Sequence, residues 1–226
     1  MTSPLLQRLE RRLIVSSQAM NPKSPLRRPD ILALMAEAAE LGGAGGFRLD
    51  GAEVIRLLRP RTGLPIIGIA KDHREGFDNY ITTSSADATA LSEAGADIIA
   101  IQATSGTRPG ESFAEIAATA HRLGRLVMAD IATFEEARRA IAEGADLIAT
   151  TMVGHTADTE GEARPPLALV ARMVAELTAP VIVEGGIWTP EHVSSSFAEG
   201  ALAVVCGSAI TAPDIITSRL VAAIPG

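Results

Sequence analysis

Short apolar runs rich in Val, Ile and Ala alternate along the chain with longer stretches whose apolar positions recur every three or four residues. That alternation of periods predicts strand and helix in turn from end to end. Strands are expected at residues 13–18, 44–49, 65–71, 97–103, 125–130, 146–151, 180–184 and 203–207. Helices are expected at 30–41, 51–58, 86–94, 112–123, 134–143, 166–177, 191–199 and 213–223. A phrase recurs between them: LeuGlyGlyAla from Leu41, GluAlaGlyAlaAsp from Glu93, GluGlyAlaAsp from Glu143 and GluGlyAlaLeu from Glu199. Each closes a helix and opens a strand, with Gly as the left-handed cap. Successive phrases lie about two βα units apart at roughly 25 residues per unit, so the four imply eight units. The expected fold class is α/β, a (β/α)8 TIM barrel, with a short N-terminal helix in MTSPLLQRLERRL. A doubly wound open sheet shares the alternation but needs a reversal of strand order that the even spacing does not suggest.

Composition narrows the class further. The 226 residues suit one barrel, so a single domain over 1–226 is expected. Hydrophobic residues make up 47% and aromatics only 3%, which requires a core of Ala, Ile, Leu and Val. A net charge of -7 with no long basic run argues against a nucleic-acid partner, and local donors must hold any anionic ligand. Cys206 is the single cysteine, so no internal disulfide and no clustered Cys/His zinc site are expected. No apolar stretch reaches transmembrane length and the first residues carry no secretory apolar core, which points to a cytoplasmic protein without a membrane partner. Helix faces rich in Ala and Val leave a homo-oligomer open.

In a closed parallel barrel the C-terminal strand ends share one mouth. Here they carry Gln18, Arg48, Lys71, Gln102 with Thr104, Asp130, Thr150 with Thr151, Glu184, and Gly207 with Ser208. Ile67, Ile69 and Lys71 alternate onto one face, so Lys71 either snorkels to the rim or, desolvated beside a second cation, serves as a base. Glu184 is either its acid-base counterpart or a salt-bridge partner of Lys71 or Arg48. Asp130 either contacts a ligand or caps the next helix. Arg48 offers a fork-shaped donor for a carboxylate, hydroxyl or phosphate oxygen. Gly185 and Gly186 after the seventh strand, and Gly207 and Ser208 after the eighth, form joints whose backbone N–H groups suit a phosphate. His73, His121, His155 and His192 are scattered, and only His73 and His155 lie beyond strand ends. Neither a GxSxG nucleophile nor a dinucleotide fingerprint is present.

These residues resemble the N-acetylmannosamine-6-phosphate 2-epimerase family over about residues 13–219. The carriers are LeuIleValSerSerGlnAla from Leu13, GlyIleAlaLys ending at Lys71, AlaGlyAlaAspIleIleAla from Ala94, MetAlaAspIleAlaThr from Met128, and the stretch 180–210. The resemblance implies a (β/α)8 isomerase of sialic-acid catabolism that needs no cofactor or metal and takes a small phosphosugar. It implies proton transfer by Lys71 and Glu184, substrate contacts from Gln18, Arg48, Asp130 and Thr151, and phosphate binding near Gly185, Gly186, Gly207 and Ser208. The chain departs from the family pattern at Gln102, where Asp is usual, and at Gly186, where Arg is usual. It departs again near His155, where Tyr is usual, and at Ala212, where Arg is usual.

Two other readings stay open on the residues alone. Lys71 could form a Schiff base in an aldolase on a sugar phosphate. The barrel could also bind a phosphosugar without turning it over.

Overall fold

The structure, a computed structural model, describes residues 3–225; Met1, Thr2 and Gly226, which fall within the expected N-terminal helix segment and domain span, lie outside the described residues. The chain runs α1 (Pro4–Leu9), β1 (Arg12–Ser17), α2 (Pro29–Leu41), β2 (Gly46–Asp50), α3 (Ala52–Leu58), β3 (Ile66–Ile69), α4 (Ser85–Ala94), β4 (Ile98–Gln102), α5 (Phe113–Arg122) and β5 (Leu126–Asp130). It continues through α6 (Phe134–Ala142), β6 (Leu147–Ala149), α7 (Leu167–Glu176), β7 (Val181–Glu184), α8 (Pro190–Ala198), β8 (Ala203–Cys206), α9 (Ser208–Thr211) and α10 (Pro213–Val221). The strands pair in sequence order, all parallel, and β8 returns to β1 with Ile14 opposite Val205. The expected (β/α)8 barrel is therefore the fold, and the open sheet is excluded.

Strand alternation divides the core into two shells. Ile14, Ile67, Ile69, Ile98, Ala100, Met128, Leu147, Ile182 and Val205 fill the barrel interior. Phe47, Leu49, Ile66, Ile99, Ile101, Val127, Ile148, Val183 and Val204 face outward and pack on the helices. Local chemistry fixes the helix boundaries. Ser112 with Glu115 and Thr133 with Glu136 form capping boxes on α5 and α6, and Gly95 closes α4 in the left-handed region at φ +106°.

One end of the barrel is plugged. Leu6 and Leu9 of α1 join the interior cluster, Leu9 with no exposed surface. Gly46 permits this approach: a Cβ there would stand 3.1 Å from the Pro65 carbonyl and 3.4 Å from Leu9 Cδ2. The polar residues are thereby left to the opposite mouth. Leu9→Ala should cost about 2–5 kcal/mol, because it opens a cavity in a fully buried position. Urea titration should show that loss of stability with activity retained at low temperature; a variant as stable as the parent would show that the plug contributes nothing.

Candidate active site

The parity that sends Ile67 and Ile69 inward also sends polar residues inward where the strands end. A cavity of about 440 Å³ opens at that mouth, lined by Gln18, Arg48, Lys71, Thr151, Glu184, Gly185, Gly186, Gly207 and Ser208. Strands β1, β2, β3, β6, β7 and β8 or the residues just after them therefore contribute. Of the strand-end polar residues singled out from the sequence, Asp130, Gln102, Thr104 and Thr150 are not part of this lining.

Asp130 lies beneath the floor, with no exposed surface. Its carboxylate accepts both ends of the Arg48 fork, from Nη1 at 3.0 Å and Nη2 at 2.6 Å, and accepts the Thr151 hydroxyl at 2.6 Å. It is not the cap of the following helix, a role Thr133 fills. Asp130 holds Arg48 and Thr151 from beneath, and both of these line the cavity. Gln102 is likewise buried rather than at the rim. Its amide accepts from the Tyr80 N–H at 2.9 Å and donates to the Asp78 carbonyl and the Thr104 hydroxyl, so it fixes the loop that carries Tyr80.

Arg48 is 1% exposed and also meets Glu184, with Nη1 3.2 Å from Oε2. Burial opposes its charge, but the Asp130 and Glu184 carboxylates outweigh that and raise its pKa. Glu184 Oε2 approaches off the N–H direction and makes no hydrogen bond among the described residues. The contact is one of charge, and this oxygen is itself buried. Burial raises the Glu184 carboxyl to about 7, against the attraction of Arg48 and with the repulsion of Asp130. Thr150 anchors this residue from below, donating to the Glu184 carbonyl at 2.9 Å and accepting its N–H at 3.0 Å.

Lys71 follows β3, and a single antiparallel bridge to Ile81 extends the strand geometry to it. Its Nζ donates to Gln18 Oε1 at 2.6 Å and lies 3.2 Å from Met20 Sδ. Gln18 in turn donates to Ser16 Oγ at 2.7 Å, so it aims the amine as well as facing the cavity. Burial lowers the Lys71 pKa; Asp50 opposes that and Arg48 reinforces it. An amine pushed down and a carboxyl pushed up thus face one cavity.

Loops also supply lining residues, among them Met20, Tyr80, Arg164 and Trp188. No periodicity marks them. Tyr80 and Trp188 are the sole Tyr and Trp of the chain, and that rarity is the one signal the sequence offers. His155 lies in the wall, whereas His73 stacks on Tyr80 at 4.7 Å and faces a neighbouring recess of about 350 Å³ behind Gln18 and Met20. Among the described residues no three His, Cys, Asp or Glu converge to hold a metal ion, and no helix is long and apolar enough to cross a membrane.

Residues 32–225 match the family described as NanE, "Putative N-acetylmannosamine-6-phosphate epimerase". A protein of Caldanaerobacter subterraneus carrying the corresponding 2-epimerase description is 42% identical, over 98% of this chain and 94% of its own length. The bifunctional enzyme NanE/NanK of Brucella melitensis is 40% identical over 96% of this chain and 41% of its own. The solved N-acetylmannosamine-6-phosphate 2-epimerase of Clostridium perfringens superposes with a TM-score of 0.93 at 35% identity, covering 99% of this chain and 98% of that one. The chain belongs to the NanE family of N-acetylmannosamine-6-phosphate 2-epimerases.

Proposed function

We propose that this chain inverts C2 of N-acetylmannosamine 6-phosphate to give N-acetylglucosamine 6-phosphate, a step of amino-sugar (sialic acid) catabolism, with Lys71 and Glu184 moving the protons. The observation that carries this reading is the pairing of a lowered amine and a raised carboxyl on one cavity. Inversion at C2 requires a base on one face of the carbon and an acid on the other. Such a pair works best when the two proton affinities are close to each other and to the working pH.

C2 becomes acidic only in the open-chain sugar, where it adjoins the C1 aldehyde. One group takes the C2 proton as the electron pair moves through C1 onto oxygen. The other gives a proton to the opposite face of the enolate, which restores the aldehyde. Arg48, fixed on two strands' carboxylates, stands ready to receive the charge that develops on O1 without having to reorient. Gly185, Gly186, Gly207 and Ser208 form the seat for the 6-phosphate, whose binding energy is realised away from the reacting carbon. The small phosphosugar is the partner this reading requires, and no step calls for a redox cofactor.

Turnover in heavy water should place deuterium at C2 of the product; inversion with the original hydrogen retained would exclude an exchanging acid-base pair. Lys71→Met and Glu184→Gln should each lose at least about 10²–10⁴ in kcat while sugar phosphate still binds. Each variant should still exchange C2 of one epimer only, the one whose hydrogen faces the surviving group, and NMR would detect this. Equal exchange from both epimers would point to a single base. Borohydride trapping of a substrate adduct on Lys71 would replace epimerisation with Schiff-base chemistry.

The pH dependence follows from the same pair. At low pH both groups are protonated and no base remains; at high pH neither is protonated and no acid remains. A bell-shaped kcat/KM is expected, with its acid limb near 7 and its alkaline limb below the ordinary lysine value of 10.5. An acid limb at or below about 5, in the range of an unperturbed carboxyl, would remove the raised Glu184 from the chemistry.

A further inference from the structure

Arg164 occupies a seat in the cavity wall that two glycines create. It lies on the loop between β6 and α7, and its main chain rests against Gly186. A Cβ on Gly186 would stand 2.4 Å from Arg164 Cβ, 2.6 Å from its carbonyl carbon and 2.8 Å from its carbonyl oxygen. The obstacle is largely backbone, which cannot swing aside as a side chain can. The Arg164 side chain then passes over Gly154, where a Cβ would stand 3.2 Å from both Cδ and Nε. Gly154 and Gly186 are left-handed, at φ +76° and +77°, so both geometry and space reserve these positions for glycine.

The guanidinium seated this way is little used by the protein itself. Its Nη1 lies 2.9 Å from His155 Nε2, and because a guanidinium can only donate, the imidazole is neutral and accepts. Three cationic side chains line the cavity, and they differ in their partners. Arg48 is tied to two carboxylates and Lys71 to Gln18. Arg164 has no carboxylate within ion-pair distance among the described residues. Four of its five N–H donors have no protein partner among the described residues, and it lines the same cavity as Gly185 and Gly186, in a wall otherwise supplied with backbone donors.

We propose that Arg164 determines specificity for the anionic end of the substrate: its guanidinium meets the phosphate seated on the loops after β7 and β8 and separates the phosphorylated sugar from the free sugar. The identity of the sugar rests on the epimerase reading above, whereas the phosphate contact does not. Reach from a neighbouring loop allows the cation to meet the phosphate without a side chain at position 186. A planar fork matches two phosphate oxygens, which an ammonium group at the same place would not.

The test compares binding of N-acetylglucosamine 6-phosphate and of free N-acetylglucosamine, by calorimetry and NMR titration, to the parent chain and to Arg164→Ala, Arg164→Lys and Gly186→Ala. Arg164→Ala should weaken the phosphorylated sugar about 10- to 100-fold, the range for a lost charge-assisted hydrogen bond, and leave the free sugar nearly unaffected. Arg164→Lys should recover part of the loss. Gly186→Ala, which displaces Arg164 rather than removing it, should move in the same direction. KM should rise by a similar factor, and kcat should fall much less. Unchanged affinity for the phosphorylated sugar in Arg164→Ala, or equal weakening of both sugars, would overturn the proposal, the second result marking a purely structural residue. If the parent chain binds the sugar phosphate in an Arg164-dependent way but does not epimerise it, this inference stands and the epimerase reading falls.

Discussion

The buried ion cluster of Arg48, Asp130 and Glu184 is the constraint from which the arrangement of the mouth follows. A guanidinium with 1% of its surface exposed must be compensated, and one carboxylate takes both arms of its fork while a second meets it from the side. The three groups come from β2, β5 and β7, so satisfying one charge ties together strands that are not neighbours. Removing Asp130 would break the two-armed pair and leave Arg48 with only the sideways Glu184, at a cost of about 3–5 kcal/mol, whereas removing Glu184 leaves the Arg48–Asp130 pair intact. The cluster is poor evidence for net stability, since an apolar interior of equal volume would do as well. Its consequence is a cation held rigidly at the floor of the cavity.

The same cluster explains why Glu184 behaves unlike a surface glutamate. Asp130 neutralises Arg48 first and most closely, and what remains for Glu184 does not offset its loss of water. In the unfolded chain the carboxyl ionises near 4.5, and in the folded protein near 7. Below the first value both states hold the proton and ionisation costs nothing. Between the two the unfolded chain sheds a proton that the folded state keeps, so folding loses stability as pH rises through this window. A group that opposes folding in this window is nonetheless kept on the cavity wall, so its burial is not explained by stability.

Most of this architecture is legible from strand parity. Once Ile67 and Ile69 are known to face inward, Lys71 must follow, and Ile182 does the same for Glu184. The Gly caps at 95, 144 and 200 count the units because only they enter the left-handed region without strain at those joints. Depth is less legible. Asp130 and Gln102 share the parity of the cavity residues but are fully buried, and no local pattern tells a floor residue from the group supporting it. Pairing across the mouth is hidden for the same reason: that Gln18 holds Lys71 depends on the closure between β1, β2 and β3.

The loops carry the rest, and here the chain's departures from its family become intelligible together. Position 186 lacks the usual Arg and the usual Tyr near position 155 is missing, and the structure joins Gly186 and His155 through one residue. Arg164 packs its backbone against Gly186 and directs its guanidinium to His155. A side chain at 186 would exclude Arg164 from its seat, and the His155 imidazole accepts from its Nη1. The absence of a side chain at 186 is thus the condition for a cation reaching the cavity from a different loop. Barrel strands cannot make such an exchange, because every inward residue is fixed by the register of two neighbours. The mouth can, since loops of different length reach the same volume, and so variation in substrate grip concentrates where the strands no longer dictate position.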